Sequence, residues 1–330
     1  MFNIAIIGAS GLIGRSILSV LHERKFPIKN LYLLARKEQE ISFDDKVFKC
    51  NRLDEFDFKS ADIVFNATDR SVIMKYMGDI VESGAFLIDK SDALRMDKDV
   101  PLVVSEVNYE INKDKIEANK IVASPNCVAM PAAIILSALL RKTKISHVFM
   151  TALQSVSGVG GSGTKGLLEE TKKSLMSSHL NPAYFEKVIA FDILPKIGEI
   201  NSDLSSTEEL KIKKEINKII KNKLYMHVTC ARVPVLTGHA IDMHIPCDLS
   251  REDAVKALKS MECIHVCDRE DNTYVTQRES AGEDEIFVNR IRHIDGVLSM
   301  WVSYDNIRSG GAINGVKIAE KIIQSLKSTN

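Results

Sequence analysis

A glycine-rich turn between the first apolar segment and the first amphipathic segment most constrains the fold of this chain. Asn3–Ile7 is a short apolar run typical of a buried strand, and Leu12–Glu23 carries apolar residues at helical spacing. The turn that joins them is Gly8-Ala-Ser-Gly11-Leu-Ile-Gly14. Glycines permit a tight turn and let an anion approach the N–H groups at the start of the helix. The pattern predicts a nucleotide-binding unit, and a plain tight turn is the alternative because the spacing is GxxGxxG rather than GxGxxG.

Strand and helix signals alternate along the first third of the chain and then give way to longer strands. The early strands are predicted at Asn3–Ile7, Leu31–Leu34, Asp62–Asn66, Ala85–Asp89 and Leu102–Ser105. This alternation predicts a Rossmann-like α/β domain with a parallel sheet, and the later strand clusters predict an α+β second domain with a mixed sheet. We expect residues 1–126, with a returning helix at 310–330, to form the first domain, and residues 127–309 to form the second.

The residues after the second strand bear on the type of nucleotide. In dinucleotide-binding folds this strand ends in an acidic residue when the 2′-hydroxyl of NAD is bound. Here Ala35 is followed by Arg36 and Lys37, which favour the 2′-phosphate of NADP. A solvated basic turn is the alternative, since Glu38 and Glu40 follow. The candidate cofactor contacts in this part of the chain are Gly8, Ser10, Gly11, Leu12, Ile13, Gly14, Arg36 and Lys37.

Charge and cysteine usage limit the class of partner. The 330 residues contain 44 basic and 44 acidic side chains, and this balance gives no support to a nucleic-acid or membrane-surface partner. The N-terminus does not have the pattern of a signal peptide, and no run of about 18 apolar residues is present. Cys263 and Cys267 lack a second ligand pair at zinc spacing, so we expect no metal site. We expect a reduced, cytoplasmic protein.

Cys127 is the candidate nucleophile. It ends the segment Ser-Pro-Asn-Cys and precedes the apolar helical run Met130–Leu140. Proline is best tolerated in the first turn of a helix, so Pro131 predicts that Cys127 lies at or just before a helix N-terminus. The dipole and unsatisfied N–H groups there stabilise a thiolate. Taken alone, such a cysteine is more often a packing residue.

A series of motifs in one order along the chain makes a catalytic role the better prediction for Cys127. They are the glycine turn, the segment ending at Cys127, Gln154-Ser-Val-Ser-Gly158, Ala190-Phe-Asp-Ile-Leu-Pro-Lys-Ile197, Glu208-Glu-Leu-Lys211, Cys230-Ala-Arg-Val-Pro-Val-Leu-Thr-Gly-His239 and Trp301-Val-Ser-Tyr-Asp-Asn306. The series covers nearly the whole chain and closely resembles aspartate-semialdehyde dehydrogenases of the bacterial type. Together, seven ordered motifs are far more specific than any one of them.

The resemblance implies a role for each matching residue. It implies that Cys127 is the nucleophile, His239 the general acid and base, Gln154 the residue that orients the acyl group, and Asn126 the residue that helps to polarise it. The implied substrate contacts are Arg232 to a carboxylate, Glu208 to an ammonium, and Lys211 and Arg95 to phosphate. The neighbourhood of Arg95 departs from the family pattern. The implied nicotinamide contacts are Ser157, Gly158 and Asn306.

The resemblance also implies a reaction and an assembly. The expected enzyme is a homodimer that reduces aspartyl phosphate with NADPH to aspartate semialdehyde and phosphate, reversibly and through a thioester on Cys127. This step serves lysine, diaminopimelate, threonine and methionine biosynthesis. One rival is an N-acetyl-glutamyl-phosphate reductase, whose acetylated substrate has no ammonium for Glu208. Another is a catalytically silent relative that acts as a binding subunit, which would lack the thiol or its base.

Overall fold

A computed structural model describes residues 1–44, 46–176, 180–267 and 274–328. Its strands are β1 (Phe2–Ile7), β2 (Ile28–Ala35), β3 (Gln39–Phe43), β4 (Lys46–Arg52), β5 (Ile63–Asn66), β6 (Phe86–Asp89), β7 (Ile121–Ala123), β8 (His147–Gln154), β9 (Tyr225–Arg232), β10 (His239–Pro246), β11 (Ile264–Cys267), β12 (Ile286–Ile294) and β13 (Val297–Tyr304). Its α-helices are α1 (Leu12–Glu23), α2 (Arg70–Glu82), α3 (Lys113–Asn119), α4 (Ala129–Leu140), α5 (Gly161–Leu175), α6 (Thr207–Ile220), α7 (Arg251–Lys259) and α8 (Ile313–Ser328). The chain divides into two units, Met1–Asn126 with Gly311–Asn330, and Cys127–Gly310.

The first unit is built on a seven-stranded sheet with β1 at its centre. The strand order is β3-β4-β2-β1-β5-β6-β7, and every pairing is parallel except that of β3 with β4. The side chains of Ile4–Ile7 are fully buried, as in a parallel strand covered on both faces. Helices α1 and α8 pack against each other and contribute Ile17, Leu21 and Ile322 to the same core. None of the helices in the described ranges is long and apolar enough to cross a lipid bilayer.

The second unit is a mixed sheet with the strand order β11-β12-β13-β10-β8-β9. Its strands β8 and β9 run parallel, whereas β10 is antiparallel to both β8 and β13. One set of side chains, such as Val148 and Met150, is buried, and α4 packs with α6 and α7 on the covered side. The alternate side chains form what we call the open face of this sheet. It comprises His147, Phe149, Thr151, Tyr225, His227, Thr229, Asp242, His244, Ser299 and Trp301.

This architecture confirms the predicted fold class, a parallel α/β domain joined to an α+β domain with a mixed sheet. The strand predicted at Leu102–Ser105 is wrong, because only an isolated bridge joins Leu102 to Ala123. Side-chain amides take the place of a neighbouring strand there. The Asn108 side chain accepts from the backbone N–H of Val104 and donates to the backbone carbonyl of Leu102. The Asn314 side chain accepts from the backbone N–H of Ser105 and donates to the backbone carbonyl of Val103.

Candidate active site

The first unit contains a cavity of about 930 Å³ at the carboxyl ends of β1, β2 and β5. Among its lining residues are Gly8, Ser10 and Gly11 from the glycine turn and Arg36 and Lys37 after β2. The structure thus places the two predicted halves of a dinucleotide site around one cavity, at the strand edge where such ligands bind in open α/β sheets. The lining also includes residues that sequence analysis did not select, namely Thr68, Asp69, Ser71, Val72, Lys75 and Tyr76.

Geometry explains why glycines occupy the turn. Gly8 has a φ of +81°, a left-handed conformation that disfavours other residues. A Cβ on Gly14 would lie 2.3 Å from the carbonyl oxygen of Gly8, so only glycine lets α1 begin this close to β1. Leu12, Ile13 and Gly14 do not line the cavity, and Ile13 packs against the core.

Two acidic groups near this cavity have partners of their own. Glu38 lies 3.3 Å from Lys49 in an ion pair. Asp69 caps α2 by accepting from the backbone N–H groups of Ser71 and Val72, and the Ser71 hydroxyl bond lowers the pKa of its carboxyl group. Both carboxylates are thus engaged with groups other than Lys37. The rim that carries Arg36 and Lys37 suits an anionic ligand group.

Cys127 immediately precedes the N-cap residue Val128 of α4, as Pro131 predicted. Its side chain is half-buried, and the charge of its thiolate acts on Arg232 and on the Tyr304 hydroxyl. Cys230 is fully buried instead, and burial raises the pKa of its thiol. Because the thiolate is the nucleophile in cysteine chemistry, the environment favours Cys127 over Cys230.

His239 begins β10 and is completely buried. Its Nδ1 lies 3.1 Å from both the backbone nitrogen and the hydroxyl of Ser155. In the described part of the chain its Nε2 has no hydrogen-bond partner. Burial, reinforced by the charge of Arg232, lowers the pKa of His239 to about 3. A buried, neutral imidazole with an unsatisfied nitrogen is available for proton transfer to a ligand.

Arg232 ends β9, and its charge acts on both His239 and Glu208. The guanidinium is buried and donates to the backbone carbonyl of Ser155 at 2.8 Å. Burial lowers the pKa of Arg232, and the charges of Cys127 and Glu208 oppose that effect. Gln154 ends the adjacent strand β8 and donates to Glu208 at 3.3 Å. The structure thus brings the predicted nucleophile, carboxylate clamp, ammonium ligand and acyl-orienting residue into one neighbourhood.

Asn306 connects the loops of this site. Its Oδ1 accepts from the Gly238 backbone N–H and from the hydroxyls of Ser155 and Ser157, at 2.9, 3.1 and 3.2 Å. The amide that was predicted to meet nicotinamide is therefore already engaged in holding loops of the second unit. Sequence analysis missed Ser155 and Tyr304, although both lie within the quoted motifs. The Tyr304 ring packs edge-on against His239, and its buried hydroxyl lacks a partner among the described residues.

The other three predicted residues lie on α6 and in the first unit. Lys211 is half-buried on α6, one turn after Glu208. Asn126 and Arg95 belong to the first unit and are buried there. The Arg95 guanidinium donates to the backbone carbonyls of Ser124 and Lys90, so two of its donors are used within the protein. Within the described ranges, no three His, Cys, Asp or Glu side chains group in a way that suits a metal ion.

Comparison with known proteins agrees with this arrangement. Residues 3–115 match the semialdehyde dehydrogenase NAD-binding domain, and residues 136–309 match the semialdehyde dehydrogenase dimerisation domain. The aspartate-semialdehyde dehydrogenase of Rickettsia bellii is 36% identical over 98% of both chains. Aspartate-semialdehyde dehydrogenase II of Vibrio cholerae has a solved structure with a TM-score of 0.93, at 32% identity over 98% of this chain and 99% of that one. A second structure of it, also with a TM-score of 0.93 and 32% identity over 98% of both chains, is complexed with ASA.

The chain belongs to the semialdehyde dehydrogenase family, and within it to the aspartate-semialdehyde dehydrogenases. It is an oxidoreductase whose first unit carries the family's nicotinamide-cofactor-binding domain, and whose second unit carries its dimerisation domain. The family assignment made from seven sequence motifs is confirmed. The roles of the individual side chains stay predictions.

Gly158 offers a test of the site geometry. A Cβ on Gly158 would lie 2.8 Å from Nη1 of Arg232 and 3.3 Å from Nε2 of His239. We expect Gly158→Ala to lower kcat/KM roughly 100-fold, because the methyl group displaces both groups by a few tenths of an ångström or more. Gly161→Ala is the matched control, since a Cβ there meets nothing within 4 Å. Steady-state kinetics give kcat/KM for the two variants. Equal values would contradict the assigned site.

Proposed function

We propose that this enzyme reduces L-aspartyl 4-phosphate to L-aspartate 4-semialdehyde and phosphate, reversibly, with NADPH and through a thioester on Cys127. The observation that carries the proposal is the buried Arg232 guanidinium, which the Ser155 carbonyl holds at 2.8 Å beside Gln154, the hydrogen-bond partner of Glu208. A site with a fixed cation, an anion and a nucleophile matches the carboxylate, ammonium and acyl carbon of an amino-acid derivative. The complex of the Vibrio cholerae relative with ASA supports the same class of ligand.

Substrate recognition in this proposal relies on charge complementarity. Arg232 binds the α-carboxylate through its planar fork, and its backbone-held position keeps that fork in one orientation. Glu208 binds the ammonium group, and the amide of Gln154, 3.3 Å from its carboxylate, orients the acyl oxygen. Lys211 and Arg95 are assigned to the phosphate. The Arg95 guanidinium also donates to the backbone carbonyls of Ser124 and Lys90, and these contacts hold it in place.

The chemistry follows from the order of bond changes. The Cys127 thiolate attacks the acyl carbon, a carbon–sulfur bond forms, and the carbon–oxygen bond to phosphate breaks. NADPH held by the glycine turn with Arg36 and Lys37 would supply the hydride that reduces the thioester to a thiohemiacetal. His239 donates a proton through Nε2 to the oxyanion that forms. It takes the hydroxyl proton back as the carbon–sulfur bond breaks, which releases the aldehyde and restores the thiolate.

Two alternatives make different demands on the same residues. An N-acetyl-glutamyl-phosphate reductase would have no ammonium for Glu208 to bind, yet Glu208 is held beside Gln154 at the site. A catalytically silent binding subunit would not need Cys127 and His239 together in one unit with Arg232. Both alternatives are therefore less well supported than the aspartyl enzyme. We further place the enzyme in the cytoplasm, at the step that supplies lysine, diaminopimelate, threonine and methionine synthesis.

The thioester mechanism is tested by supplying aspartate semialdehyde, phosphate and NADP and following NADPH formation. We expect Cys127→Ala to reduce the rate by at least about 10⁴-fold, since no covalent intermediate can form. Cys247→Ala, another half-buried cysteine of the second unit, should stay near the native rate. Turnover by Cys127→Ala would exclude the thioester. Turnover of N-acetylglutamate semialdehyde instead of aspartate semialdehyde would reassign the substrate.

The preference for NADP is assigned to Arg36 and Lys37 at the rim of the first unit's cavity. Replacing both with alanine should lower the ratio of kcat/KM for NADP to that for NAD roughly 10- to 100-fold, because charge-assisted bonds to the 2′-phosphate are lost. Lys29→Ala, an exposed lysine near the opposite end of the same strand, is the control. An unchanged ratio in the double variant would show that Arg36 and Lys37 form a merely solvated turn.

The homodimer is assigned to the open face of the second sheet. Phe149 and Tyr225 are 41% and 54% exposed there, and each stacks on a histidine of the neighbouring strand. Helices cover the opposite side, so this face is the one that a second copy can bury in the matched dimerisation domain. Phe149→Glu should convert the dimer to a monomer in sedimentation velocity, because it buries a charge in the interface. Met74→Glu, at a similarly exposed site of the first unit, should stay dimeric.

A further inference from the structure

Glu170, on α5, is a buried carboxylate that the proposed mechanism does not use. Its side chain is fully buried, and its two oxygens accept from the backbone N–H groups of Ala183, Ile189 and Ala190 at 2.8, 2.7 and 3.1 Å. A buried carboxylate is costly unless hydrogen bonds of this kind satisfy it. All three donors lie in residues 183–194, which we call the bracing segment. Glu170 therefore fixes the path of the bracing segment relative to α5.

The far end of the bracing segment is joined to the strand that carries Arg232. The backbone N–H of Leu194 donates to the carbonyl of Arg232 at 2.9 Å, and the backbone N–H of Arg232 donates to the carbonyl of Leu194 at 2.8 Å. Leu194 also shares a small apolar cluster with Val156, the residue after Ser155. The bracing segment is thus attached to α5 on one side and to the surroundings of Arg232 on the other.

Between these attachments the bracing segment places an aromatic ring on the guanidinium of Arg232. The Cζ atom of Arg232 lies over the Phe185 ring, 5.8 Å from its centroid. The ring is half-buried, and Tyr184 packs edge-on against it at a centroid distance of 5.1 Å. An aromatic face attracts a desolvated guanidinium without using any of its N–H groups. Because Ser155 is the hydrogen-bond partner of this guanidinium among the described residues, N–H groups remain for an anion.

We propose that Phe185 is a positioning residue that holds the guanidinium of Arg232 for the substrate carboxylate, and that Glu170 acts through Phe185 by fixing the bracing segment. The inference rests on the proposed role of Arg232 as the carboxylate ligand. The ring contacts the face of the guanidinium, whereas a carboxylate binds in the plane of the N–H groups. The ring and the substrate therefore do not compete for the same part of Arg232.

A second contact on Arg232 matters because its side chain is long and has many rotamers. The Ser155 carbonyl holds one nitrogen, Nη1, at 2.8 Å, and this single bond does not define the plane of the guanidinium. The Phe185 ring supplies the contact that does. A guanidinium already held in one plane loses less freedom when a carboxylate binds to it. The benefit should therefore be confined to substrates that carry the carboxylate.

The test compares aspartate semialdehyde with 3-aminopropanal, which is the same molecule without the carboxylate. NADPH formation in the presence of phosphate and NADP gives kcat/KM for each aldehyde, and the ratio of the two values measures carboxylate recognition. We expect Phe185→Leu to lower this ratio roughly 3- to 10-fold, through a higher KM for aspartate semialdehyde, because the aromatic face is lost while an apolar side chain is kept. Phe185→Tyr, which keeps the ring, should retain a near-native ratio.

Phe191→Leu is the matched control for loss of an aromatic ring from the bracing segment. Phe191 is 67% exposed, and within the described ranges its ring makes no cation–π contact. The ratio should therefore stay native in this variant. Melting temperatures of all variants, measured alongside, show whether a change in the ratio accompanies a general loss of stability.

Glu170→Gln tests whether the buried carboxylate acts through Phe185. A glutamine amide has one oxygen, so at least one of the three backbone N–H groups loses its acceptor. We expect the ratio to fall as it does in Phe185→Leu, and the double variant to be no worse than Glu170→Gln alone, because both changes remove the same contact. Phe185→Leu leaves the bonds of Glu170 in place, so it tests the ring even if Glu170→Gln does not fold.

Three results would overturn the inference. They are an unchanged ratio in Phe185→Leu, an equal loss of kcat/KM with both aldehydes, and losses that multiply in the double variant. Arg232→Ala, assayed in parallel, separates these results from a failure of the proposed function. If Arg232→Ala lowers the ratio and Phe185→Leu does not, only the positioning role fails. If Arg232→Ala leaves the ratio unchanged, the assignment of Arg232 to the carboxylate itself fails.

Discussion

The backbone of a single residue, Ser155, connects two buried side chains of the second unit. The carbonyl of Ser155 accepts from the buried guanidinium of Arg232, and the N–H of the same residue reaches His239. A buried cation is costly without such partners, so the position of this loop determines where the guanidinium can lie. Arg232 and Gln154 end adjacent parallel strands in register, which gives the loop a rigid support. The positions of Arg232 and His239 therefore depend on one short stretch of backbone.

Two neighbouring glutamates on α6, Glu208 and Glu209, have different hydrogen-bond partners. Glu209 is buried, completes a capping box with Ser206, and accepts from the backbone of Cys230. These bonds fix the start of α6 against β9. Glu208, one residue earlier, is then turned toward Gln154. The structural carboxylate of Glu209 thus determines the position of Glu208, the predicted ammonium ligand.

The parts of the fold that could be predicted from the sequence are those with local, periodic signals. The first helix, Leu12–Glu23, and the strand His239–Pro246 have the predicted bounds, because apolar spacing and the adjoining glycines mark their ends. The hairpin of β3 and β4 was missed, since its strands are short, largely exposed and rich in charge. The motifs located the site residues along the chain. They could not reveal that Asn306 bonds to Ser155 across 151 positions, because that contact exists only after folding.

The glycine at position 158 also limits how this site can escape an inhibitor. A Cβ there would lie 2.8 Å from Nη1 of Arg232 and 3.3 Å from Nε2 of His239, so there is no room for a methyl group beside them. A compound that packs against the backbone of Gly158 would therefore meet a position that tolerates no side chain. A variant that added one to exclude the compound would crowd its own Arg232 and His239.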